Sequence, residues 1–440
     1  MKPLLNNRSF WLGLVALAIM TADLGLLTRG GPPGISSTER RSGAGMTAAD
    51  KAPSASPSPE VSPSGDPGNP PTSENATQGK ATAGAGPKAS VPQGIATDCS
   101  RDVTKELLAW IGSMPNGSTL SFAAKGCYRI DGTLRFEDRA GLVFEGNGAT
   151  FKAGSEGNRD RRHFWFFGGA NLVIRNLTVM GANSKAGTGD EAFRSDREFQ
   201  HAFALQGVQA ALLENVRASD VYGDFVYVGP DVGRGHKFQW SRKVIVQNSR
   251  FQRNGRQGIA VVAGEDVLIS GNSLGQVRRA TFDIEPTATH WGARNIQILN
   301  NTTTAGRLIW LASGGRSHDV GDIKIAGNVM KAATGTPIIK VVAPDDGSQP
   351  PLGARRGPFI IENNVFIVGG SPAAGIDCVR CVGLTIRNNQ LTFPAERSMT
   401  AVSIKSTNTT RITGNTFKGA ATILEADLYS TDYSESGNST

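Results

Sequence analysis

Two acids stand two residues apart in the stretch "TFDIEP": Asp283 and Glu285, separated only by Ile284. In an extended strand alternate side chains share a face. Phe282 and Ile284 then form the buried row, and the two carboxylates project together on the other face, about 7 Å apart along the strand. Paired carboxylates suit cleavage of a glycosidic bond, one giving a proton and the other serving as base or nucleophile. Together with Asp224 they also form an oxygen-ligand set that could hold Ca²⁺. That ion, or an arginine, would neutralise the carboxylate of a uronic acid during β-elimination.

The basic residues needed for an acidic substrate are nearby. From Val232 to Gly264 there is no acid, yet the stretch holds Arg234, Lys237, Arg242, Lys243, Arg250, Arg253 and Arg256. The turn "FQRNGRQG" carries Arg253 and Arg256, and Arg278 and Arg279 occupy the corresponding turn just before Asp283. His201 and Asp224 open two earlier strands of the same type. These patterns nominate Asp283, Glu285, Asp224 and Arg256 as catalytic residues. His201, Lys237, Arg253, Arg278, Arg279 and Trp291 are nominated for substrate binding. The plainer alternative is a solvated surface, with outward acids neutralised by arginines in a surface network and the tryptophan packing a loop.

The strands that would position these groups recur. "LVFEGNGATF", "LVIRNLTV", "LLENVRAS", "VIVQNSRF", "VLISGNSL", "IQILNNTT", "IKIAGNVM", "FIIENNVF", "LTIRNNQL" and "RITGNTF" each pair a short alternating strand with an asparagine and a second strand. The asparagines, from Asn147 and Asn176 to Asn389 and Asn415, are spaced by 29, 39, 33, 24, 29, 27, 36, 25 and 26 residues. Self-similarity at such a period marks a solenoid. Asparagine tolerates the left-handed backbone region and can turn the chain sharply between strands. Between the asparagine strands lie "HAFALQG", "DFVYVG", "GIAVVA", "TFDIEP", "RLIWLA", "PIIKVV" and "AVSIKS". Aligning them places Ala260 and Val262 before the acid pair and Ile309 and Leu311 after it. Insertions at 181–200, 229–241, 286–294 and 343–357 flank this row and would wall a groove.

These repeats resemble the right-handed parallel β-helix, or pectin-lyase-like, proteins. The opening "VTKELLAWIGSMPNGSTLSFAAKGCYRIDGTLRF" is similar to that group's short capping helix and first strand pair. The resemblance implies an all-β parallel β-helix of about ten coils over 98–425, with a groove that holds a glycan. It is weak for activity. The four sequence elements of polygalacturonase-type hydrolases are absent, no pectate-lyase motif is clear, and "FDIEPTATH" resembles only in outline the acid-Pro-His strand of alginate epimerases.

Composition bounds the rest. The 440 residues carry a formal charge of +8, with 39% apolar and 7% aromatic content. The excess is mild and there is no arginine-rich arm, which argues against a nucleic-acid partner. Residues 1–29 read as a signal peptide or signal anchor, with an apolar run able to anchor the chain in a membrane through 10–27. Residues 30–97 are Pro/Ser/Gly-rich and too poor in large apolar groups to fold, so they read as a disordered tether. Residues 426–440 read as a polar tail. Four cysteines in an exported chain favour the pairs Cys99–Cys127 and Cys378–Cys381. The expectation is an exported, monomeric protein acting on an acidic polysaccharide or cell-envelope glycan, as lyase or hydrolase. The competing expectations are a silent glycan-binding β-helix and a purely structural surface protein.

Overall fold

The computed structural model describes residues 86–232, 238–304, 311–317, 319–330, 337–343, 356–370, 372–394 and 399–440. The signal or anchor, the tether up to residue 85, and Lys237 lie outside them. Among the described residues no helix is long and apolar enough to cross a membrane.

Parallel strands wind into successive coils. One strand per coil enters an eleven-stranded sheet, and the other strands enter a twenty-three-stranded sheet. One coil runs through Ile259–Val261, Gly264–Ser270 and Ser273–Gly275; the next through Phe282–Ile284, Ala293–Leu299 and Thr302–Thr303. Each strand pairs with its counterpart one coil away, so the backbone groups are satisfied between coils. The interior is a single stack of Val, Ile, Leu and Phe, including Phe203, Phe225, Phe251, Phe282, Ile296 and Phe359. A short helix, α1 (Thr104–Ser113), lays Leu107, Trp110 and Ile111 onto the start of this stack.

The asparagine corner uses two adjacent positions rather than one. The left-handed residue is Asn215, Asn248, Gly271, Asn300, Gly327, Asn363, Asn388 and Gly414 in turn. From Asn272 onward the following asparagine points inward and forms a ladder: Asn272, Asn301, Asn328, Asn364, Asn389 and Asn415, each buried. The backbone N–H and side-chain amide of one donate to the Oδ1 of the next; for Asn328 onto Asn364 both distances are 2.9 Å. Thus Asn147, Asn176, Asn215 and Asn248 make the turn, while the later asparagines make the ladder beside it.

Both ends differ from the sequence reading. Lys88–Ser90, expected in the tether, is a strand paired with Thr119–Ser121. Thr431–Ser436, expected in a polar tail, pairs in register with Asn408–Thr413. Asn438 extends the ladder, taking the backbone N–H of Asn415 at 3.0 Å. The polar side chains of "TDYSES" concealed a strand whose pairing is made by its backbone. The sulfur atoms of Cys99 and Cys127, and of Cys378 and Cys381, lie at bonding distance, with Cα separations of 5.0 and 6.1 Å.

Candidate active site

The outer face of the eleven-stranded sheet follows from its register. Arg135, Trp165, Ala204, Tyr227, Ala260, Asp283, Ala312, Lys340 and Asp377 fall in one line across nine coils. Asp283 is level with Ala312, with Phe282 paired to Leu311, so the alignment expected after the acid pair is displaced by three residues, an odd number that exchanges the two faces. Leu311 belongs to the inward row, and Ile309 lies outside the described residues. The cause is local: after Arg307, "RLIWLA" is apolar throughout and offers no alternation to tell its two faces apart. Large and small residues alternate along the line from Trp165 to Lys340, which lifts Trp165, Tyr227, Asp283 and Lys340 above intervening alanines.

Asp283 and Glu285 share the outer face as the alternation requires, but their environments differ. Asp283 is only 3% exposed, and its Oδ2 is buried without a hydrogen-bond partner. Glu285 is half-buried, and its N–H donates to Val261 O of the preceding coil. Burial, then the negative charge of Glu285, push the Asp283 carboxyl well above the usual carboxylate range, against the opposing pull of Arg256. Asp283 is therefore the member of the pair in which the neutral form is favoured.

A second cluster lies where the chain enters the same strands. Arg256 Nη1 donates to Asp224 Oδ1 at 3.0 Å and Oδ2 at 2.9 Å, and Gln257 N–H donates to Oδ1 at 2.9 Å. Burial raises Asp224 to about 6, although Arg256 and that N–H oppose it. Burial would lower Arg256, but the charges of Asp224, Glu285, Glu198 and Asp283 hold it above its ordinary value. Glu198, from the 181–200 insertion, approaches Arg256 Nε at 3.6 Å. His201 accepts the Asp224 N–H at Nδ1, 3.0 Å away, and stacks on Tyr227 at 5.0 Å. Burial, then the charges of Arg162 and Arg256, keep His201 well below its ordinary pKa and neutral. Burial raises Tyr227 to about 12.

The other nominated residues that the structure describes make contacts with neighbouring elements. Arg253 lies on Arg250–Asn254 of the larger sheet and pairs with Asp220 at 2.6 Å. Arg278 bonds Asp190 at 2.9 Å, and Arg279 sits 5.0 Å over the Phe193 ring. Both therefore fasten the 181–200 insertion to the coil. Trp291 is half-buried with its edge toward His290, 6.1 Å away.

Asp224, Asp283 and Glu285 do not fit Ca²⁺. That ion needs several converging ionised oxygens. The oxygens of Asp224 already accept from Arg256 and Gln257, and Asp283 is 3% exposed, with burial and Glu285 both disfavouring its charged form. Among the described residues no group of three potential metal ligands converges.

Sequence reasoning missed Glu198, Arg162 and Arg356. Arg356 is fully buried and donates to Ser317 O at 2.6 Å and to Ser313 Oγ and Gly315 O at 3.3 Å. Burial lowers it to about 10 despite the charges of Glu285 and Asp283. The available signal was the run of polar residues before each strand of this sheet, as in "RRHFWFF", "QHAFAL" and "GDFVYV".

No protein-family model matches the chain. A curated protein of Bacillus subtilis strain 168, the uncharacterized protein YclG, is 24% identical over 217 residues, 44% of this chain and 36% of its own length. Among solved structures, the surface adhesin PfbA of Streptococcus pneumoniae superposes with a TM-score of 0.53 at 13% identity, covering 75% of this chain and 84% of that one. The catalytic unit of a GH87 α-1,3-glucanase from Streptomyces thermodiastaticus gives 0.53 at 14%, covering 82% and 70%. The tailspike of Escherichia coli bacteriophage HK620, in complex with a pentasaccharide, gives 0.57 at 11%, covering 80% and 66%. The parallel coils and these neighbours agree: the chain is a right-handed parallel β-helix protein with the pectin-lyase-like fold.

Proposed function

We propose that the protein is an exported enzyme that hydrolyses an acidic polysaccharide on the outer face of its eleven-stranded sheet. The observation that carries this reading is the Asp283–Glu285 pair, a buried carboxyl on the same outer face as a half-buried partner, with burial and that partner both raising it above the usual carboxylate range. Such a pair can deliver a proton to a departing glycosidic oxygen near neutral pH, through Glu285, the member open to the groove. Hydrolysis is favoured over elimination because the cation best placed to neutralise a uronate, Arg256, is 7% exposed and already held by Asp224 and Glu198. The basic excess outside the tether supports an acidic glycan. The glucanase and the sugar-bound tailspike among the structural neighbours support a saccharide substrate of some kind.

One observation favours a second reading, a glycan-binding protein without catalysis: Asp283 is 3% exposed, and an adhesin is among the neighbours. The test incubates the full-length protein with a panel of uronate-containing polysaccharides. New reducing ends and the ultraviolet absorbance of unsaturated uronates are followed together. Reducing ends without absorbance, lost in Glu285→Gln, are expected. Rising absorbance would make the protein a lyase. Retention of a glycan without either signal would establish the binding reading.

A further inference from the structure

A second built concavity lies on the larger sheet, apart from the carboxylate pair. It is an open concavity of about 410 Å³, within the roughly 300–1,000 Å³ of small-ligand sites. Its floor is a register line in which Gln209, Arg242, Glu265 and Arg294 stand level in four successive coils. Its wall is aromatic, formed by Phe238 and Trp240.

That wall is held in place by several contacts. An antiparallel bridge between Asp231 and Gln239 closes the base of the loop, with Asp231 N–H on Gln239 O at 3.0 Å. The indole N–H of Trp240 donates to His290 O at 3.3 Å, and Phe238 meets the His290 ring edge-on at 4.9 Å. Gly292 is bare where the indole passes: a Cβ there would lie 2.3 Å from the Trp240 ring. The tryptophan thus reaches across to a glycine two coils on and is held there by its indole N–H, although it is not part of the core cluster.

The floor is charged but balanced. Arg242 pairs with Glu265 at 3.0 Å and Arg294 pairs with Asp319, while each arginine side chain stays 56% exposed. A fixed aromatic wall facing a line of neutralised hydrogen-bonding groups matches a pyranose ring, which has an apolar face and a hydroxyl-bearing edge. Coils repeat at about 4.8 Å, so the polar line spans roughly 14 Å, room for two or three sugar units in a row. We infer that this pocket is a second saccharide site, taking a neutral sugar segment by stacking on Trp240 and hydrogen bonding to the Gln209–Arg294 line. It is separate from the carboxylate pair, and it stands or falls independently of the proposed hydrolysis.

The experiment measures binding of cellotetraose, maltotetraose, mannotetraose and tetragalacturonate to the full-length protein by calorimetry and saturation-transfer NMR. At least one neutral tetraose is expected to bind. Trp240→Ala should weaken it by about tenfold or more, and so should Arg294→Gln, an exposed position whose change leaves the core untouched. Glu285→Gln should leave that affinity within about twofold. Binding of only tetragalacturonate, binding insensitive to both pocket variants, binding lost in Glu285→Gln, or no binding at all would each overturn the proposal.

Discussion

A single nitrogen, Arg256 Nη1, lies 3.0 Å from Oδ1 and 2.9 Å from Oδ2 of Asp224, a residue with no exposed surface. Removing one partner of such a pair leaves an uncompensated buried charge. Arg256→Met should therefore cost about 3–5 kcal/mol. Asp224→Asn combined with Arg256→Met should cost much less than the sum of the two single changes, because neither charge then remains. Chemical denaturation of the two single variants and the double variant checks this. Additive losses would show that the two side chains do not depend on each other.

The two buried carboxyls set a pH dependence with a definite sign. Both Asp224, at about 6, and Asp283, well above its ordinary value, are raised in the folded state. A raised carboxyl means that the folded state binds more protons than the unfolded chain over that window, so this contribution to stability falls as pH rises. It is fully present below about pH 4 and is lost as pH passes through 6 and above. Asp283→Asn, which cannot ionise, should therefore have a higher Tm than the parent at pH 8, with the gap closing toward pH 4. Thermal unfolding across that range would reject the assignment if the gap were constant.

The parts of this architecture that were legible in the sequence follow from period-two alternation. "TFDIEP" gave the outward direction of Asp283 and Glu285 because phenylalanine and isoleucine can occupy only the inward row beside acids. "RLIWLA" offered no such contrast after its first residue, and its register was displaced by three. The asparagine repeat revealed the solenoid but merged two adjacent corner positions, since either residue of "NN" or "GN" satisfies a spacing rule. Local spacing also could not show that Glu198 reaches Arg256 from an insertion, or that Arg356 comes within electrostatic reach of the acid pair. Those contacts arise only when distant coils stack. The pair "GN" at 437–438 repeats the corner signal of 271–272 and 327–328, yet the polar strand before it hid the last coil.

The ladder itself should be energetically uneven. Asn328 donates to Ile298 O at 2.9 Å, Ala326 O at 3.1 Å and Asn364 Oδ1 at 2.9 Å, while its Oδ1 accepts the Asn301 N–H at 2.9 Å. Asn328→Ala leaves several buried groups unpaired, each costing about 1–3 kcal/mol, for a total of about 3–5 kcal/mol. Asn438, at the last rung and not fully buried, also accepts from Asn415 and donates to Ile412 O at 2.9 Å. Water can replace some of its bonds, so Asn438→Ala should cost less than half as much. Equal losses in urea titrations would mean that burial does not set the strength of the rungs.

The carboxylate pair makes its sharpest prediction in kinetics, because its two members should fail differently. On the proposed hydrolysis the more open member, Glu285, is the one that meets the glycosidic oxygen, and Glu285→Gln removes it. Cleavage should drop by about 10²–10⁴-fold at every pH. Asp283 acts through Glu285, and Asp283→Asn keeps a donor toward that carboxylate while removing the proton that titrates. The parent enzyme should lose activity as pH rises through the raised Asp283 value, because the pair then carries two negative charges and has no proton to give. In Asp283→Asn this alkaline limb should flatten, with a smaller loss of kcat at the optimum and little change in KM. A limb that persists unchanged in Asp283→Asn would assign the titrating proton elsewhere, with Asp224, at about 6, as the group to substitute next.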